Sequence, residues 1–143
     1  MKPCRDLITA AACAASIFLL ACNSRSESPQ VYLRLAGVAD GPASMEAAAR
    51  MTERYIAEKR FLRVVFPDID NPSEEQIATA LSTAVVQPAF QENNPTGPAY
   101  VRCTIHTSNP NTFDAMTARC QEQLQEIASL VGVTLVPDVQ RAL

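Results

Sequence analysis

Hydrophobic and polar positions change rhythm several times along this chain. From Leu7 to Leu20 the residues are almost wholly apolar or small, and from Asn23 to Gln30 they are polar. Val31, Leu33 and Leu35 then alternate with Tyr32, Arg34 and Ala36, the period of a half-buried strand. Asp40-Gly41-Pro42 supplies a helix start, since proline is acceptable in a first turn where its missing N–H is not needed. The helix is expected to run to about Lys59, with Met45, Ala48, Thr52, Tyr55 and Ile56 on one stripe. Alternation returns at Phe61 to Phe66: Leu62, Val64 and Phe66 share one face and Phe61, Arg63 and Val65 the other. Pro67 ends this second predicted strand.

Residues 68–98 read as an insertion. Asn71-Pro72-Ser73-Glu74-Glu75-Gln76 is a capped helix start with acids in the first turn, where the helix dipole favours them. Ile77, Leu81, Ala84 and Val85 form its apolar stripe up to Gln87-Pro88, and Gln91 to Pro98 is turn and loop chemistry. Tyr100 to Thr107 is the third predicted strand, with Val101, Cys103 and Ile105 on one face and Tyr100, Arg102, Thr104 and His106 on the other. The next helix carries Phe113, Met116, Cys120, Leu124, Ile127 and Val131 at spacings of three or four, the clearest amphipathic pattern in the chain. Gly132 stands where a C-cap glycine belongs, Val133 to Val136 is a short last strand, and Asp138 to Leu143 reads as a fraying end.

The order βαβ, helical insertion, βαβ predicts an α+β, ferredoxin-like split βαβ fold. Two helices would cover one face of a four-stranded antiparallel sheet in the order 4-1-3-2, with the insertion between strands 2 and 3. The competing arrangements are a three-layer fold and a looser α+β packing in which the insertion helix joins the core.

The apolar run at the N-terminus follows Lys2 and Arg5 and ends in small residues. At ~1.5 Å per residue a helix of that length covers about 21 Å, against roughly 30 Å of hydrocarbon, so the run fits a signal-peptide core and not a membrane span. Leu19-Leu20-Ala21-Cys22 resembles the lipobox of bacterial lipoprotein precursors. The resemblance covers the N-terminal segment alone. It implies a diacylglycerol on the Cys22 thiol, cleavage before Cys22 and acylation, for example by palmitate, of the new amino terminus. Asn23, in place of an aspartate, implies sorting to the outer membrane of a Gram-negative cell, with the domain facing the periplasm. The expected organisation is a signal peptide at 1–21, the lipidated cysteine and a tether at 22–30, and one α+β domain at 31–143. More than one acyl chain makes such attachment stable, and a tether this short keeps the domain close to its membrane.

Without residues 1–21 the chain has ten basic and fourteen acidic residues, a formal charge of −4. That balance argues against general nucleic-acid binding, and the glycine-aromatic signature of RNA-recognition modules is missing. Of five cysteines, Cys4 and Cys13 leave with the signal peptide and Cys22 is consumed by lipid. Cys103, on the apolar face of a strand, and Cys120, on the apolar stripe of the helix covering it, are expected to form one disulfide.

Catalytic constellations are absent from the sequence. There is one histidine, His106, and no G-x-S-x-G, H-E-x-x-H, P-loop or G-x-G-x-x-G, so neither an enzyme nor a cofactor is expected. Asp68-Ile69-Asp70-Asn71 with Glu74 and Glu75 is rich in oxygen ligands, but Pro72 and Ser73 stand at the fifth and sixth positions, where a calcium loop of the EF-hand type needs a ligand and a glycine. No metal site is expected. The strand phases instead place Arg34, Arg63 and Arg102, with Tyr32, Phe61 and Tyr100, on the sheet face away from the helices. Arginines beside aromatic rings can take a carboxylate, a phosphate or an acidic protein loop. The alternative is that the insertion folds over this face, its acids Asp68, Asp70, Glu74 and Glu75 pairing with the arginines. The functional expectation is a lipid-anchored, non-enzymatic binding or adaptor module for an envelope protein or an anionic envelope component. The alternatives are an inhibitor or immunity protein against an envelope-directed hydrolase, and a wall-active hydrolase.

Overall fold

The computed structural model describes residues 29–91 and 94–138. The signal peptide, Cys22, the tether through Ser28 and the expected fraying end beyond Asp138 lie outside the described residues.

Among the described residues the order is β1 (Gln30–Ala36), α1 (Pro42–Ala57), α2 (Phe61–Val65), α3 (Glu74–Thr83), β2 (Ala84–Gln91), β3 (Asn94–Ile105), a 3-10 turn at Pro110–Thr112, α4 (Phe113–Val131) and β4 (Thr134–Pro137). The strands form one sheet in the order β2-β3-β1-β4, every neighbouring pair antiparallel. This is the ferredoxin-like split βαβ arrangement, with β3 and β1 central and β2 and β4 at the edges.

The topology is the expected one, but the second strand is built from a different segment. Phe61–Val65 is a short helix, and Ala84–Gln91 is the strand. Phe61, Leu62, Val64, Val65 and Phe66 are apolar around a single Arg63, a run too short and too uniformly apolar for a period of two to be told from a helical one. Packing decides it: Phe61 and Val64, one helical turn apart, are both buried, and Arg119 on α4 donates its Nε–H to the Val64 carbonyl at 2.8 Å. The helical segment therefore precedes strand 2 and does not separate strands 2 and 3. Strand β2 includes Pro88, which is compatible with an edge strand because a missing N–H there costs no ladder bond on the open side. The stretch read as a loop contributes instead to a hairpin, since Asn94 pairs with Gln91 across an irregularity at Phe90/Gln91.

Two contacts pin the start of α1 to β3. Gly41, at φ 79° where a side chain would be strained, donates its N–H to the Gly97 carbonyl at 2.8 Å. Ser44, fully buried, accepts the Ala99 N–H on its Oγ at 2.7 Å. The helix presents Ala47, Ala48, Met51 and Tyr55 to the core, whereas Ile56, expected on that stripe, is 47% exposed. Helix α3 opens with the expected cap: Ser73 accepts from the Gln76 N–H and Gln76 reaches back to the Ser73 N–H. Met116, Cys120, Leu124 and Ile127 form the buried stripe of α4, which ends on Gly132 in the left-handed conformation.

Cys103 on β3 and Cys120 on α4 form a disulfide, as expected, with both residues buried and Cα atoms 6.8 Å apart. Phe61, Val64 and Ala80 belong to the same apolar cluster as Met51, Tyr55 and Leu124, so α2 and α3 extend the helical layer. No helix of the described residues is long and apolar enough to cross a membrane.

Candidate binding face of the sheet

In the described strands the only charged residues are Arg34 and Arg102. Strand register places them on one face. Arg34 of β1 stands opposite Tyr100 of β3, and Tyr32 opposite Arg102, so cation and ring alternate as on a chequerboard. Leu33, Leu35, Val101 and Cys103, the residues between them, point to the helical layer and are buried. Gln87 of β2 lies on the far side of Arg102, Ala89 beyond Tyr100, and Val136 of β4 beyond Arg34.

Polar contacts fix the side chains of this face. The rings of Tyr32 and Tyr100 meet edge to face with centroids 6.4 Å apart, a favourable arrangement of two quadrupoles. The Tyr32 hydroxyl donates to Gln30 Oε1 at 2.7 Å, and the Tyr100 hydroxyl donates to Asp138 Oδ2 at 3.0 Å. Arg102 donates from Nη2 to Gln87 Oε1, and its Nε–H is buried with no acceptor. Among the described residues neither cation of this face has an ion-pair partner, and Asp138 brings one carboxylate to its rim through Tyr100.

Four of the six residues expected here are brought together: Tyr32, Arg34, Tyr100 and Arg102. Phe61 and Arg63 are not. Because their segment is helical, Phe61 turns inward to 2% exposure and meets the Tyr55 ring at 6.1 Å, and Arg63 is exposed on the other layer of the domain. Nor do Asp68, Asp70, Glu74 and Glu75 reach the sheet arginines: none of them enters an ion pair of the described residues. Gln87 and Asp138 were not foreseen as part of the face. Gln87 was masked by Pro88, which read as a helix stop, and Asp138 by its place after the last strand.

Among the described residues no group of three or more His, Cys, Asp or Glu is placed to hold a metal ion. His106, at the end of β3, donates its backbone N–H to the Thr83 carbonyl at 2.7 Å. No protein-family model, curated protein or solved structure matches the chain.

Proposed function

We propose that the mature protein is a lipid-anchored, non-enzymatic binding module of the cell envelope that takes an anionic partner on the open face of its sheet. The observation that carries this reading is the isolation of Arg34 and Arg102 as the only charges in the described strands, on the face that the helices leave open. The mature chain is net acidic, so a local excess of positive charge on one face is a specific feature and not a reflection of composition. A carboxylate or phosphate arriving there would meet a guanidinium already oriented by Gln87 and flanked by Tyr32, a geometry suited to paired, charge-assisted hydrogen bonds. The signal sequence and lipobox support an envelope location, with Cys22 as the anchor.

The reading has two parts, tested separately. Metabolic labelling with a fatty-acid analogue should label the wild type and not Cys22→Ser; label retained by the variant would remove the anchor. Immobilised wild-type protein should retain an envelope component that is released by moderate salt and is not retained by Arg34→Ala/Arg102→Ala, since exposed ion pairs are screened. Equal retention by the double variant would remove the face.

A further inference from the structure

The charge of this domain is divided between its two layers. Residues 42–83 and 113–131, which build the helical layer and its connections, carry ten acidic and six basic residues, a net −4. Three of those bases, Arg50, Arg54 and Arg60, are already paired with Glu46, Glu58 and Glu126, whereas Glu53, Glu74, Glu75 and Asp114 stand exposed. The four strands carry Arg34 and Arg102 and no acid, with Asp138 at the rim held by the Tyr100 hydroxyl. The two layers therefore have opposite sign, and a planar anionic surface attracts one and repels the other.

The point at which the tether enters the sheet is also fixed. The Pro29 carbonyl accepts the Ile105 N–H at 3.0 Å, which ties the start of β1 to the end of β3. Seven residues lead from Cys22 to Pro29, and that length of chain spans at most about 25 Å. Arg34 stands only about 13 Å along β1 from Gln30, and Arg102 is paired in register with the intervening Tyr32. Both cations thus lie within reach of a membrane that holds Cys22.

We infer that the open sheet face docks on the anionic phospholipid surface of the membrane that anchors Cys22, with Arg34 and Arg102 against lipid phosphates and the helical layer turned away. This docking rests on the reading of the face as an anion-binding surface and on Cys22 as the anchor. Two observations favour lipid over an acidic protein loop: the opposition of charge extends over whole layers, and the short tether holds the lipid surface at high effective concentration. Each basic residue near an anionic surface favours contact about fivefold, so two favour the docked state by roughly 25-fold. The exposed acids of the helical layer then stand a full layer away, where screening with a Debye length of about 8 Å weakens their repulsion. Tyr32, half-buried beside Arg102, brings an amphipathic ring suited to the headgroup level. Because headgroups move laterally, the surface reads positive charge and not the fork of a guanidinium.

The test places the isotope-labelled mature chain, acylated at Cys22, in lipid nanodiscs that carry a trace of gadolinium-chelating lipid, and reads the paramagnetic relaxation of its backbone amides by NMR. In discs of phosphatidylcholine mixed with phosphatidylglycerol, relaxation should be stronger at Arg34, Ala89 and Arg102 than at Glu53, Glu74 and Asp114. That contrast should fall about fivefold or more in phosphatidylcholine alone. Arg34→Ala/Arg102→Ala should lose it as well, and Arg34→Lys/Arg102→Lys should keep it. A contrast equal in both lipids, reversed toward the helical layer, or lost in the lysine variant would overturn the inference. If the contrast is missing while an envelope protein is still captured through Arg34 and Arg102, the lipid assignment falls and the anion-binding face stands. If that capture is missing too, the face falls with it. Fatty-acid label retained by Cys22→Ser would remove the anchor and overturn the docking.

Discussion

The hydroxyl of Tyr55, near the end of α1, donates to the carbonyl of Ala84, the first residue of β2, at 3.0 Å. The same oxygen lies 4.0 Å from Cys120 Sγ, so one buried group touches the helix-to-sheet junction and the disulfide together. Ala84 follows directly on α3, where the chain leaves the helical layer for the sheet edge. Tyr55→Phe keeps the ring against Phe61 but leaves that carbonyl without its donor, and should cost about 1–2 kcal/mol in denaturant unfolding.

The pH dependence of that cost has a definite sign. Burial raises the Tyr55 hydroxyl above its ordinary value of 10.0. The folded state therefore keeps a proton that the unfolded state releases, and the contribution is complete below about pH 10 and declines as pH rises beyond it. The stability difference between wild type and Tyr55→Phe should narrow as pH rises above about 10. A difference that grows with pH would contradict the burial described here.

The Cys103–Cys120 bridge closes a loop of 17 residues between the third strand and the helix that covers it. Cys103→Ala/Cys120→Ala should lose roughly 3 kcal/mol of unfolding free energy, most of it by freeing the unfolded chain. Equilibrium unfolding of the oxidised wild type and of the double variant measures the difference directly.

Ser44 tests the attachment of α1 to the hairpin. Its Oγ is the acceptor for the Ala99 N–H, and both residues are fully buried. Ser44→Ala leaves that N–H without an acceptor and should destabilise by about 1–3 kcal/mol, whereas Ser44→Thr retains an oxygen but must place a further methyl in a closed site. Hydrogen exchange at Ala99 should accelerate in Ser44→Ala.

The topology was legible because most elements carry a strong signal of their own. Alternation at Val31 to Ala36, the long stripe from Met116 to Ile127, the Ser73–Gln76 cap and the Gly132 terminus all stand as expected. The disulfide followed from the cysteine count left after the signal peptide and Cys22 together with phase, since both remaining cysteines lie on faces that meet. What was not legible depended on distant partners. Phe61–Val65 is helical because Arg119, 55 residues away in sequence, caps it and the core accepts Phe61 and Val64 on one side. Ala84–Gln91 is a strand because an edge position tolerates Pro88, a property of sheet order and not of local sequence. The site inherits this division: Tyr32, Arg34, Tyr100 and Arg102 sit on strands with clear alternation and are together, whereas Phe61 and Arg63 belong to a short apolar run whose period only its distant partners decide.

The central claim is that the open sheet face is the binding surface, and in situ photo-cross-linking tests it most directly. A photoreactive residue in place of Ala89 lies on that face opposite Tyr100, and one in place of the exposed Glu53 lies on α1 in the other layer. The expected result is a discrete adduct from position 89 in intact envelopes, none from position 53, and loss of the adduct when Arg34→Ala/Arg102→Ala is added. An adduct from position 89 that survives the double variant, or no adduct from that position at all, would contradict the claim.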